Sequence, residues 1–236
     1  MKTLHGALAA PIILLSLVSA PSSVDAQQRQ SRPLAGFDAI EVGGGIDLFV
    51  RKGDAFTVEV QASEDDAAKI ITEVVGKTLQ IKRKSSLGLF HWGDAGSVYV
   101  TLPVLVSLDA SGGSDVKGEG TFASDDLRIA ASGGSDLTMD VAAGALHVEA
   151  SGGSDLRLRG TARSAHVESS GGSDLNASAL TADEADVDSS GGSDLAIGVV
   201  QKIVGEASGG SDVTYTGAPG SVNVSTSGGA EIHHRQ

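Results

Sequence analysis

Apolar and polar residues alternate with a period of two through most of this chain, the pattern of strands whose successive side chains fall on opposite faces. Residues 37–42, 46–50, 56–60 and 79–82 alternate in this way and read as strands. Between the last two, "EDDAAKIITEVV" (residues 64–75) departs from strict alternation. Ser63 can cap it, its acids crowd the first turn and Gly76 follows, so the reading there is one short helix. A turn-rich stretch, residues 85–96, leads into "SVYVTLPVLVSL" at residues 97–108. Pro103 lacks the backbone N–H that a central strand needs, which places this strand near an edge or an entry point.

Beyond residue 110 the alternation is tied to a pentapeptide. "SGGSD" begins at Ser111, Ser132, Ser151, Ser170, Ser190 and Ser208, and a degenerate "SGGAE" begins at Ser227. Successive starts are 21, 19, 19, 20, 18 and 19 residues apart. Glycine- and serine-rich tracts are ordinarily flexible linkers. The flanks rule against that reading, because Val116, Leu137, Leu156, Leu175, Leu195 and Val213 each follow the aspartate. Leu108, Ile129, Val148, Val167, Val187 and Val224 stand three residues before a motif, with Leu127, Leu146 and Ile203 among those five before. A linker has no reason to keep such columns, whereas stacked strands must. The predicted fold is therefore all-β, a right-handed parallel β-helix or β-solenoid with about 19–20 residues per coil and one short helix in the N-terminal part. Ile203-Val204-Gly205 shifts the apolar pattern inside the 18-residue spacing and predicts a bulge or a shortened side.

Composition sharpens this picture. Aromatics are 3% of the 236 residues and glycine supplies 32, which favours short strands and tight turns over a large aromatic core. Lys2 and His5 precede an apolar run at residues 7–18, and Val24-Asp25-Ala26 fits a cleavage site, so residues 1–26 read as a signal peptide, a retained anchor being the alternative. Residues 27–36 then form a polar tail, residues 37–110 the first coils or a cap, and residues 111–236 the repeat solenoid continuous with them. The chain has no cysteine, which removes disulfides, thiol catalysis and a lipidation cysteine. Net charge is −13, with 18 acids against 7 bases from Ser111 onward. That excess repels nucleic acid and anionic lipid and attracts cations or basic partners.

Taken together, "FDAIEVGGGIDLFVRKGDAFTVEVQA", "GKTLQIKRK" and "VYVTLPVLVSLDASGGSDV" with the repeats after it resemble the bacterial head GIN domain family, labelled putative auto-transporter adhesin. The resemblance runs from Phe37 to Ile232. It implies an exported β-solenoid of the right-handed parallel type and an adhesin-like or cell-envelope role, and brings no catalytic residues with it. No stretch reads as a C-terminal membrane barrel or as an integral membrane segment of the mature chain, so transport through a barrel of its own is not expected.

The chemistry on offer is carboxylate chemistry. If coils register, Asp115, Asp136, Asp155, Asp174, Asp194 and Asp212 form a ladder ending at Glu231. Unit charges about 4.8 Å apart repel by roughly 0.9 kcal/mol in bulk water, so something should offset the ladder. Asx-type bonds to turn N–H groups are one route, and Lys117, Arg157 and Arg159 are another. A bound Ca²⁺ is the third, since hard cations prefer carboxylate and carbonyl oxygen. "GGSDL" partly resembles the calcium-binding nonapeptide roll G-G-x-G-x-D-x-U-x, yet it lacks that motif's later glycine and occurs once per coil rather than twice. Structural corners therefore lead as the reading, with Ca²⁺ as the only cofactor weighed. A polysaccharide-processing enzyme is the remaining alternative, but the repeat itself explains the recurrent acids and offers only Phe122 and Tyr215 as aromatic platforms. Two asymmetric features stand apart: "LGLFHWGD" with Phe90 and Trp92, a plug or a partner contact, and the His233-His234 pair near the C-terminus. The partner expected is a cell-envelope or surface protein or glycan, met in the periplasm or outside the cell.

Overall fold

The computed structural model describes residues 28–84 and 96–235. The alternating segments of the N-terminal part become strands β1 (Gln28–Ser31), β2 (Ala39–Gly43), β3 (Asp47–Lys52) and β4 (Thr57–Ala62), followed by helix α1 (Glu64–Ala67). Then come β5 (Ile70–Val75), β6 (Thr78–Arg83), β7 (Ser97–Leu102) and β8 (Ser107–Ser111). The repeats supply the long strands β9 (Val116–Ser132), β10 (Asp136–Ser151), β11 (Asp155–Ser169), β12 (Asp174–Ser189) and β13 (Asp194–Ala207). The series ends with β14 (Asp212–Thr216), β15 (Ser221–Thr226) and β16 (Glu231–Arg235). Together they form a parallel β-solenoid of about seven turns, 70% strand.

Each coil stacks on its neighbour with repeat opposite repeat. Leu137, Leu156, Leu175, Leu195 and Val213 are partners along one inner column, and Leu127, Leu146, Ala165, Ala185 and Ile203 along another. All of these are buried. Burying one Leu or Val contributes about 1.5–3 kcal/mol, and no coil can do it alone because the covering side chains come from the coils above and below. A second corner lies opposite the glycine turn. There, residues three apart (Ala143 and Leu146, Ala162 and Ala165, Ala182 and Ala185) are both buried, so the inward parity reverses without any Gly-Gly signal.

Three local expectations change. The helix predicted over residues 64–75 is only one turn, capped as expected by Ser63, whose Oγ accepts from the Asp66 N–H at 3.2 Å. The second half is β5, antiparallel to β6, because Ile70, Ile71, Thr72, Val74 and Val75 are β-branched and fit a pleated surface better than a helix. Residues 28–31 of the polar tail form β1, antiparallel to β4, with Arg29 lying 4.3 Å over the Tyr99 ring. The strand read across residues 97–108 is broken after Leu102, beside Pro103, and resumes at Ser107.

The N-terminal stack is also not in chain order. β2 lies between β6 and β8, and β3 between β7 and β9, so an early coil is inserted between two later ones. Beyond β6 and β7 the pairing turns antiparallel, to β5 and β4, with β1 outermost. These antiparallel strands cover the parallel edge that would otherwise invite further pairing. At the other end β15 pairs with β13 and β16 with β14, and both are largely exposed. The irregular repeat is visible as register shifts between β12 and β13, which let the 14 residues of β13 span the 16 of β12. Gly205 takes its place beside Val187 at φ +141°, where an added Cβ would sit 1.9 Å from the Val187 carbonyl oxygen. Among the described residues no helix is long and apolar enough to cross a membrane.

Candidate functional site along the corner ladder

The corner is built by division of labour within the pentapeptide. In the copy beginning at Ser132, Gly133 and Gly134 turn the chain with φ of +65° and +79°, a region that side chains avoid. The second serine of every copy then points inward: Ser114, Ser135, Ser154, Ser173, Ser193 and Ser211 are fully buried. Their hydroxyls are satisfied by the corner itself and by the coil before. Ser193 Oγ lies 3.1 Å from the Ser169 carbonyl, 3.0 Å from the Ser190 carbonyl and 3.0 Å from Ser189 Oγ. Ser211 Oγ repeats this with Ser189 and Ser208, and Ser173 Oγ with Ala150 and Ser170. A buried polar ladder of this kind holds only when every member is bonded.

With the serine inside, the next residue must face out. The six aspartates lie at the solvent surface in consecutive register, Asp136 beside Asp155, then Asp174, Asp194, Asp212 and Glu231. Leu48 pairs with Val116, so the same register sets Asp47 beside Asp115 and extends the row by one coil. "GGGID" at residues 43–47 is thus an unrecognised first corner, with buried Ile46 in place of the serine and its N–H bonded to Ser114 Oγ at 3.3 Å.

Direct hydrogen bonds from the turn and direct ion pairs with lysine or arginine do not offset the ladder among the described residues. None of the six aspartate carboxylates takes a hydrogen bond from a turn N–H; turn N–H groups such as those of Gly192, Asp194 and Gly210 bond instead to the carbonyls of Gly171, Ser173 and Gly191 in the coil before. Nor does any lysine or arginine form an ion pair with them; the pair in this row is His233 Nε2 with Glu231 at 3.3 Å. Lys117 lies beside Thr138, Thr138 beside Arg157, and Arg159 beside Asp140. Burial first, then the charges of Asp115 and Asp155, push the Asp136 carboxyl above its ordinary value, against the opposing pull of Arg157.

Along the C-terminal half the ladder borders a groove of about 370 Å³, lined by Arg157, Asp174, Asn176, Asp194, Asp212 and His233 among others. Ala196 is the small residue in the outward row that runs from Arg157 and Asn176 to Thr214, and it deepens the groove. At the groove's end the ligand atoms of Asp212, Glu231 and His233 lie within 4.8 Å of one another, and His234 stacks on Tyr215 at 4.7 Å. The arrangement offers oxygen acceptors in a row with a few donors at the margin, suited to a cation or a polar ligand bearing positive charge. Phe90 and Trp92 lie outside the described residues.

A second acid row runs on the other side of the corner. Glu41 pairs with Asp109, Asp109 with Ala130, and then Glu149, Glu168, Asp188 and Glu206 follow in register. Burial, with Glu41 and Glu149 nearby, raises the Asp109 carboxyl despite Arg128. Its sequence signal was an acid two residues before most motifs, which the apolar columns beside it obscured.

Residues 36–219 match the model of a protein family described as "Putative auto-transporter adhesin, head GIN domain". Among solved structures the chain is similar to a putative adhesin from Bacteroides fragilis, with a TM-score of 0.84 at 22% identity over 91% of this chain and 99% of that one. A putative lipid binding protein from Parabacteroides distasonis gives a TM-score of 0.69 at 17% identity, covering 89% and 97%. A putative adhesin from Parabacteroides merdae gives 0.65 at 15%, with the same coverages of 89% and 97%. At these identities the likeness is one of fold. No curated protein is similar to the chain by sequence.

Proposed function

Since the chain belongs to the head GIN domain family of putative auto-transporter adhesins, we propose that it is an exported, non-enzymatic binding solenoid that engages a component of the cell envelope or surface through its corner ladder. The observation that carries this reading is the ladder itself, a row of surface carboxylates in register, with no lysine or arginine in a direct ion pair with its six repeat aspartates, Asp115 to Asp212, among the described residues. A rigid stack holds these charges at the spacing of its strands, so it presents them to a ligand without having to order them first. Export rests on the signal-like residues 1–26, and places the protein in the periplasm or outside the cell. A protein or glycan partner is the expected ligand. Phe90 and Trp92 are a second proposed contact.

The test is binding of the purified mature chain to envelope extract and to a glycan panel, compared with Asp174→Asn/Asp194→Asn/Asp212→Asn and with Phe90→Ala/Trp92→Ala. Loss of a captured component in the ladder variant alone supports the reading. Equal capture by all three proteins removes the ladder from it. A second reading, a calcium-stabilised repeat, draws on the same row of carboxylates. It calls for a melting temperature that rises with Ca²⁺ and falls with EDTA, and an unchanged value disposes of it. Release of reducing ends or unsaturated products from acidic polysaccharides would overturn the non-enzymatic assignment.

A further inference from the structure

The second acid row is flanked by a column that carries two imidazoles, His147 and His166, and that changes the chemistry of this face. On β11, His166 and Glu168 are two residues apart and so project from the same face. On β12, Asp186 stands beside His166 and Asp188 beside Glu168, in register. His147, on β10, is the neighbour of His166 on the other side, its ring 6.1 Å away edge to face. A groove of about 240 Å³ opens here, lined by His147, His166, Asp186 and Lys202 among others.

The two nitrogens of His166 have different partners. Nε2 lies 3.0 Å from Glu168 Oε1, whereas Nδ1 faces Asp186 Oδ2 at 3.6 Å. One ligand atom each from His166, Glu168 and Asp188 falls within 4.8 Å of the others. A tetrahedral ion with bonds of about 2.1 Å needs its ligand atoms about 3.4 Å apart. Rotation of these surface side chains closes that difference with no movement of the sheet. Asp186 then occupies the position from which an outer carboxylate receives the remaining imidazole N–H and holds the ring toward the ion.

Charge points the same way. Among the described residues Glu168 and Asp186 have His166 as their ion-pair partner and Asp188 forms no ion pair, while Arg128 is committed to Glu149 at 2.7 Å and Lys202 registers with Glu184. One imidazole with two carboxylates suits Zn²⁺, while Ca²⁺ takes six to eight oxygens and has no use for the nitrogen. We propose that His166, Glu168 and Asp188 form a surface zinc-binding site oriented by Asp186, on the face away from the corner aspartates, with water completing the shell.

The test is a zinc titration of the full chain against a chromophoric chelator, in a His233→Ala/His234→Ala background that removes the other histidine-containing cluster among the described residues. One Zn²⁺ per chain is expected there, with Co²⁺ at the same stoichiometry giving the visible absorption of a tetrahedral site. In that background His166→Ala and Asp188→Asn should each weaken zinc binding by at least about tenfold, and Asp186→Asn by about 10–100-fold as an orienting residue does. Far-UV circular dichroism checks that each variant keeps the fold. No zinc uptake in the background protein, or affinity unchanged in folded His166→Ala or Asp188→Asn, overturns the proposal. Equal competition by Ca²⁺ does so too, since it reports oxygen ligation alone.

Discussion

Replacing Asp136 by Asn should make the protein more stable at neutral pH and physiological salt, and more so at low salt. Asp136 stands between Asp115 and Asp155, and those charges, after burial itself, raise its carboxyl above the ordinary aspartate value. Adjacent strands are about 4.8 Å apart. Each neighbour therefore repels it by about 0.9 kcal/mol at the dielectric of water. A Debye length of about 8 Å at physiological salt roughly halves that, leaving about 1 kcal/mol for the pair. Arg157 opposes them, so a net gain of about 0.5 kcal/mol is expected on neutralisation. The sign follows from proton binding. The folded protein holds this proton more tightly than the unfolded chain, so stability falls as pH rises through the window above the unfolded value of 3.8. Asn removes that fall. For a chain of this size the gain corresponds to about 1–2 °C in melting temperature. The assay is thermal or urea unfolding of parent and variant in EDTA, between pH 3 and pH 8, at low and high salt. The two should coincide near pH 3 and approach each other in high salt. A variant less stable than the parent at pH 7 in EDTA would refute the reasoning, because the carboxylate would then be making an attractive contact. A loss seen only with Ca²⁺ present would instead favour the calcium-stabilised reading.

Other outcomes follow from the same geometry. Ser193→Ala removes a fully buried hydroxyl bonded to two coils and should cost about 1–3 kcal/mol by urea unfolding, whereas Ser190→Ala, at the exposed start of the same motif, should stay within about 0.5 kcal/mol. Gly205→Ala forces a Cβ into the Val187 carbonyl at positive φ and should cost more than about 3 kcal/mol or prevent folding, while Gly220→Ala, with only the Gln201 carbonyl 3.7 Å away, should be nearly neutral. The Lys69 hydrogen bond, then that of Ser63, holds the Asp66 carboxyl below its ordinary value. Its contribution is thus present above 3.8 and is lost as the pH falls through the folded value, so Asp66→Asn should loosen the α1–β5 junction at neutral pH and match the parent in strong acid, as read by amide exchange in β5.

Much of the solenoid was legible in the chain because its two signals are local. Alternation fixes which side chains face in, and the pentapeptide marks one corner per coil, so Leu137, Leu156, Leu175 and Leu195 fall into one column from spacing alone. The same logic found the outward aspartate row. It failed where local preference and tertiary pairing disagree. Residues 70–75 carry a helix-like entry from the acids before them, yet β6 offers an edge to which a β-branched run binds better. The second corner has no recurrent glycine motif to announce it, Gly144 on β10 having no counterpart between Ala162 and Ala165 or between Ala182 and Ala185, and "GGGID" lacks the serine that would have tied it to the repeat.

The sequence by itself therefore determined the architecture, the coil length and the identity of the repeated surface residues, since each depends on neighbours within about twenty positions. Only the tertiary structure decided the order in which coils stack, because inserting β2 and β3 between later strands rests on contacts 39 to 69 residues apart. It alone showed that the second serine of each motif is interior and that the aspartate after it turns its carboxylate to the surface, with no hydrogen bond to it from the turn among the described residues, a distinction of direction that composition cannot carry. It also decided which acids meet an imidazole. His166, Glu168 and Asp188 are spread over 23 residues of chain and become a cluster only when β11 and β12 lie side by side.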